Sequence, residues 1–159
     1  MKLNLGLIGQ LLHSKYEFLL CDSMDYAQYT GVYVYNAGEV PRDVGSLVII
    51  RWYELKTCDA VPCAVCIGGG AEAHEFFQDR NMQGFIFRES SSELELLVEF
   101  QEIFSKFSEL EINLLYAICD KVSTKDLHNC VGDFLKCNVM LFGVDLKLLE
   151  YSDSYIPAE

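Results

Sequence analysis

The sequence contains no cluster of basic residues. Its 12 lysines and arginines are scattered singly among 24 acidic residues, for a net charge of −12. Nucleic-acid binding draws most of its affinity from neutralising phosphates with Lys and Arg, so no direct DNA or RNA contact is expected of this chain. An anionic membrane surface is disfavoured for the same reason. No segment approaches the roughly twenty apolar residues that a membrane span requires. The opening MKLNLGLIGQLLHSK is not expected to be a signal peptide: one Lys precedes a short apolar stretch broken by Asn4, Gln10 and His13, with no small-residue cleavage site after it. It reads as an amphipathic helix with Leu5, Ile8 and Leu12 on one side.

The usual signatures of metal and catalytic sites are also missing. Cys63-Ala-Val-Cys66, with Cys58 upstream and His74 downstream, has no second CxxC to complete a structural zinc site. Residues three apart on a strand point to opposite faces, so the two thiols cannot share a ligand shell if 62–67 is a strand. Gly68-Gly69-Gly70 stands where a phosphate-cradling turn would, but neither Lys-Ser/Thr nor a GxGxxG frame accompanies it. No base stands at a telling spacing from Cys66, and His13, His74 and His128 are isolated. No cofactor and no metal are expected. Seven cysteines, an odd number without a small-domain framework, fit free thiols in a reducing cytoplasm.

What is present is a core and two regimes. The 159 residues are 51% hydrophobic and 13% aromatic, enough to bury a domain. From 17 to 89, β-type runs alternate with turn chemistry: EFLLC (17–21), GVYVYN (31–36), SLVIIR (46–51), PCAVCI (62–67) and GFIFR (84–88). Several are apolar on both faces, as strands in a covered sheet are. AEAHEFFQD supplies a short helix between the last two, while the links at 37–45 and 52–61 are short for helical crossovers. The expected fold class is α/β, with a mixed sheet (α+β) in reserve.

The second regime opens with Ser90/Glu93 and Ser92/Glu95, both at capping-box spacing. No Pro or Gly interrupts the next thirty or so positions, and Ser105 and Ser108 mark where a break would fall. Leu96, Phe100, Ile103, Phe107, Leu110, Leu114 and Ala117 recur at alternating spacings of four and three, a heptad seam. This seam is the expected homodimer contact, with Leu94, Leu97, Val98 and Phe104 left to pack on the sheet. Ser123-Thr124 with Asp126 caps a further helix over 124–136, and NVMLFGVDLKLLEYSDSYIPAE forms a closing hairpin around Gly143-Val144-Asp145. Expected boundaries are 1–90 for the sheet domain, 91–122 for the linker helix and 123–159 for the start of another domain.

The stretch LLYAICDKVSTKDLHNCVGDFLKCNVMLFGVDLKLLEYSDSYIP, behind a strand-rich module and a long helix, resembles the PucR/CdaR-type bacterial transcriptional regulators. The resemblance lies in helix, short helix, apolar strand (Asn138 to Met140), Asp turn (Asp145) and apolar strand ending in Ser (Leu148 to Ser152). It covers 94–157, and 1–90 only in layout. In that family such a phrase opens a GAF- or PAS-like domain, and a helix-turn-helix domain follows. The resemblance implies a non-catalytic, cytoplasmic sensory and dimerisation region that relays to a DNA-binding domain.

For a ligand, the strand ends are the place to look, because open α/β sheets bind outside the carboxyl ends of their strands. Two of the four arginines, Arg51 and Arg88, fall there, with Asn36 and Gly68, Gly69 and Gly70 ending two other strands. A net-negative chain with Arg at those points is suited to a carboxylate or phosphate. The competing expectation is ion pairing with a neighbour such as Glu54 or Glu89. The alternative function is a small α/β enzyme acting through the Gly68–Gly70 turn with Cys66 or Arg88.

Overall fold

The computed structural model describes residues 2–21, 27–36, 45–58, 61, 63–135 and 137–152. The predicted link at 37–45, apart from Gly45, lies outside the described residues, as do Pro62 and the tail from Asp153. The chain divides into two compact units, Met1–Ser105 and Lys106–Glu159, so the boundary falls inside the long helix.

The first unit is α/β. It comprises α1 (Leu5–Leu12), β1 (Phe18–Cys21), β2 (Gly31–Val34), β3 (Ser46–Arg51), α2 (Trp52–Leu55), β4 (Cys63–Ile67), α3 (Gly70–Asp79), β5 (Gln83–Phe87) and the first part of α4 (Glu93–Cys119). The sheet order is β1-β5-β4-β3-β2. Strands β2 to β5 are parallel and β1 is antiparallel to β5, which makes the sheet mixed. Among the described residues of the 52–61 link stands the four-residue helix α2, short enough to escape any periodicity test.

The apolar runs alternate between two covered faces. Val48, Ile50, Ala64, Cys66 and Ile86 form one core with Leu55, Ala73 and Phe77. On the other face Phe85 stacks edge-on against Phe18 and Phe100, and Phe87 against Phe100. Cover on both sides explains why β3, β4 and β5 are buried at nearly every position. Gly84 lets β5 approach β4: its φ is +143°, and a Cβ there would lie 1.8 Å from the Ala64 carbonyl oxygen.

Of the two spacings for an α4 cap, Ser92 is the one used, its Oγ accepting from the Glu95 N–H at 3.4 Å. The helix runs through Ser105 and Ser108 without a break. It stops with Lys121 in the left-handed region (φ 56°), where Val122 N–H bonds Ala117 O and Lys121 N–H bonds Ile118 O. That is a Schellman ending built on Lys rather than Gly, which is why no Gly or Pro announces it. In the second unit, α5 (Thr124–Leu135) is capped by Ser123, whose Oγ accepts from Asp126 N–H at 3.1 Å. Strands β6 (Met140–Phe142) and β7 (Leu148–Tyr151) form the expected hairpin, and β7 lies against α5. Buried Ser152 closes it: its Oγ accepts from Val139 N–H at 2.7 Å while its own N–H bonds Val139 O at 2.8 Å.

The flanks of α4 are used differently from expectation: the seam is covered within the chain, and of the flank expected on the sheet Phe104 is buried and Leu97 half-buried. Leu96, Phe100, Ile103, Phe107 and Leu110 are buried within the single chain and Leu114 is half-buried, whereas Leu94 and Val98 are exposed. Phe100 fills the sheet face between Phe85 and Phe87, and Phe107 packs on Phe134 of α5 at 4.8 Å between ring centroids. Heptad spacing alone does not say whether a helix stripe meets its own domain or another chain.

Candidate functional site

Strand register sets out the site. Arg51, Ile67 and Phe87 are aligned across β3, β4 and β5, and Phe18 of β1 opposes Phe87. One residue further on, the carboxyl edge of the parallel strands therefore carries Trp52, Gly68 and Arg88, with Glu17 just ahead of antiparallel β1. These residues line a cleft of about 870 Å³, completed by Gly69, Gly70, Glu72 and Glu89. Ligand pockets commonly fall in this size range.

Each wall has a local cause. Gly68 N–H is held by Phe87 O at 3.0 Å, tying the turn to β5. Gly69 sits at φ +82°, and a Cβ there would come within 2.6 Å of the Trp52 ring and 2.8 Å of Ala73. Only glycine lets the turn close on the indole, which also meets Phe76 edge-on at 5.3 Å. Helix α3 starts from Gly69 with no side-chain cap, and Glu72 in its first turn answers the positive end of the helix dipole.

The two arginines are both ion-paired, with partners far away in sequence. Arg51 Nε donates to Glu93 Oε1 at 2.5 Å in a half-buried pair between β3 and the first turn of α4. Arg88 pairs with Glu17 in an exposed contact at the mouth of the cleft. Neither takes Glu54 or Glu89 as a partner among the described contacts. Three carboxylates, Glu17, Glu72 and Glu89, thus line the cleft against one guanidinium. An anion binding here would share or compete with Glu17 for the Arg88 guanidinium.

Of the cysteines, Cys63 and Cys66 are buried and Cys119 and Cys137 are exposed. All seven are free. Cys66 lies in the α3-side core while Cys63 alternates to the other face, as the spacing predicted. Burial, with a smaller contribution from Cys21, pushes the Cys66 thiol up to about 12. It is oriented towards Gly68 O at 3.7 Å, a donor's position rather than a nucleophile's. Among the described residues no group of His, Cys, Asp and Glu is placed to hold a metal ion.

Gly68, Gly69, Gly70 and Arg88 come together in the cleft. Asn36 and Arg51 stand at the same edge of the sheet but outside its lining. Compared with family models, curated proteins and solved structures, the chain matches none. Among the described residues no helix is long and apolar enough to cross a membrane. Trp52, Glu17 and Glu72 were not singled out in the sequence, and Glu89 was named there only as an ion-pair neighbour. Trp52 carried a usable signal, as the one tryptophan, immediately after a predicted strand. Glu17 carried none, because its place depends on β1 running against its neighbours.

Proposed function

We propose that this chain is the sensory and dimerisation region of a bacterial transcription regulator of the PucR/CdaR type, with DNA contact left to a helix-turn-helix domain. The sheet unit takes a small metabolite in the cleft, and α4 carries the bound state away from the sheet. One observation supports this most: Trp52, in the cleft wall, follows directly on Arg51, whose guanidinium holds Glu93 in the first turn of α4. A ligand that shifts Trp52 pulls on that ion pair and so on the start of the helix. A protonated Cys66 and paired arginines give little for an enzyme to work with.

Because Trp52 is the only tryptophan, its fluorescence reports on the cleft directly. The test is a titration of carboxylated, phosphorylated, neutral and cationic metabolites, followed by emission and by thermal shift. A ligand at a hundred times its Kd stabilises the fold by about 2.7 kcal/mol. The response should vanish in Arg88→Ala for an anionic ligand and in Gly69→Val for any ligand. A panel without effect, or a hit that survives both substitutions, sinks the reading.

A further inference from the structure

Each source of positive charge in the cleft already has a carboxylate beside it. Arg88 is paired with Glu17 at the mouth. The amino-terminal end of α3, worth about half a positive charge, has Glu72 in its first turn. The Gly68–Gly70 turn, whose amides would serve an anion, has Glu89 against it: a Cβ on Gly68 would lie 3.6 Å from both Cβ and Cγ of that side chain. Arg88 and Glu17 cancel. Glu72 and Glu89 then stand against the helix end alone, and the cleft keeps a net charge of about −1.5. Among the described residues no hydrogen bond or ion pair holds either of these two carboxylates.

The rest of the wall is apolar. Half-buried Trp52 forms one part of it, and Phe18 and Leu19 of β1 another. Tryptophan offers a cation the best of the aromatic faces, and the uncompensated glutamates act in the same direction. An anion entering the cleft meets those carboxylates at close range, where like charges repel. A bare metal ion does not suit this wall either. Among the described residues no group of His, Cys, Asp and Glu is placed to hold one, and the apolar side chains would give it no ligand.

We infer that the ligand of this cleft is a small organic ammonium ion with an apolar body. Glu72 and Glu89 meet its charged head, and Trp52 meets its body. The inference rests on the cleft reading above and fixes the sign of the ligand's charge. That sign is the reverse of the one the arginines suggested in the sequence, because a guanidinium already answered by a carboxylate adds no net charge to the cleft.

Three probes of similar shape test the sign: phenethylamine, its neutral N-acetyl derivative and 3-phenylpropionate, titrated into the full chain with Trp52 emission and thermal shift as readouts. The amine should bind, and its affinity should fall as salt rises. The other two should bind far more weakly. Glu72→Gln and Glu89→Gln, both at exposed positions, should each loosen the amine about threefold and together about tenfold, as exposed charge pairs do. Arg88→Ala should tighten the amine about threefold, because it removes a like charge and releases Glu17. For an anion the same substitution has the opposite sign. Binding of 3-phenylpropionate that Arg88→Ala removes overturns the inference and leaves the cleft reading intact. A neutral probe that binds as tightly as the amine, or amine binding indifferent to the double glutamine variant, has the same consequence. No response to any of the three overturns it as well, and the cleft reading is then decided by the wider panel. Amine binding that persists in Gly69→Val, with the fold kept by dichroism, puts the ligand elsewhere and ends both readings.

Discussion

Strands β3 to β5 and strands β6 and β7 are written in the same apolar vocabulary, SLVIIR, CAVCI and QGFIF against MLF and LLEY, yet their fates differ. The first set has helices on both faces and is buried almost throughout. Among the described residues the second lies against α5, and Met140, Phe142, Leu148, Leu149 and Tyr151 remain about half exposed or more. Apolar content is thus no measure of what a segment contributes to stability, since only surface removed from water counts. The sharpest way to break this comparison is to cut the same side chain from each unit. Phe100→Ala removes a ring packed on Phe85 and Phe87 at 5.7 and 6.4 Å and should cost about 3–5 kcal/mol. Phe107→Ala removes one packed on Phe134 and should cost roughly 1.5–3 kcal/mol. Urea unfolding followed by Trp52 fluorescence and by dichroism should separate the two losses. Equal costs would mean that the carboxyl-terminal unit is as completely packed as the sheet.

A gentler measurement sharpens the same contrast. Amide exchange reports the free energy of local opening, which falls where few apolar contacts hold an element. Amides in β3, β4 and β5 should exchange slowest, through opening of the whole sheet unit. Those in β6 and β7 should exchange orders of magnitude faster, with Ser152 N–H, bonded to Val139 O at 2.8 Å, the best protected of the hairpin region. Uniform protection from 46 to 152 would remove the distinction between the units.

Legibility followed the same division. The strand runs were readable because double-sided burial leaves continuous Val, Ile and Phe, and the helix starts because Ser92 and Ser123 act through spacing alone. Direction and partnership were not. The antiparallel course of β1 depends on tertiary pairing with β5, so Glu17 could not be placed opposite Arg88. The Arg51–Glu93 pair spans 42 positions of sequence, a distance over which no local pattern carries information. The α4 seam was read with the right period and assigned to the wrong neighbour, because a stripe records that something covers it and not what.

The smallest effect, invisible at neutral pH, concerns the thiol on the α3-side core. Burial raises Cys66 from its ordinary 9.0 to about 12. In the unfolded chain the same thiol titrates near 9, so below that both states are protonated and its contribution is fully present. Above it the unfolded thiol ionises while the folded one stays neutral, and stability declines until the pH passes about 12. The slope is at most about 1.4 kcal/mol per pH unit. Cys21 is raised by burial as well and adds to the decline, so the diagnostic is a difference. Urea midpoints measured from pH 7 to 10.5 should fall more steeply in the parent than in Cys66→Ala. At pH 8 a thiol reagent should label exposed Cys119 and Cys137 quickly and leave Cys66 untouched until the sheet unit opens. Parallel pH profiles, or fast labelling of Cys66 in the native state, would mean that the thiol ionises in place, and the Gly68–Gly70 turn would then have a nucleophile beside it after all.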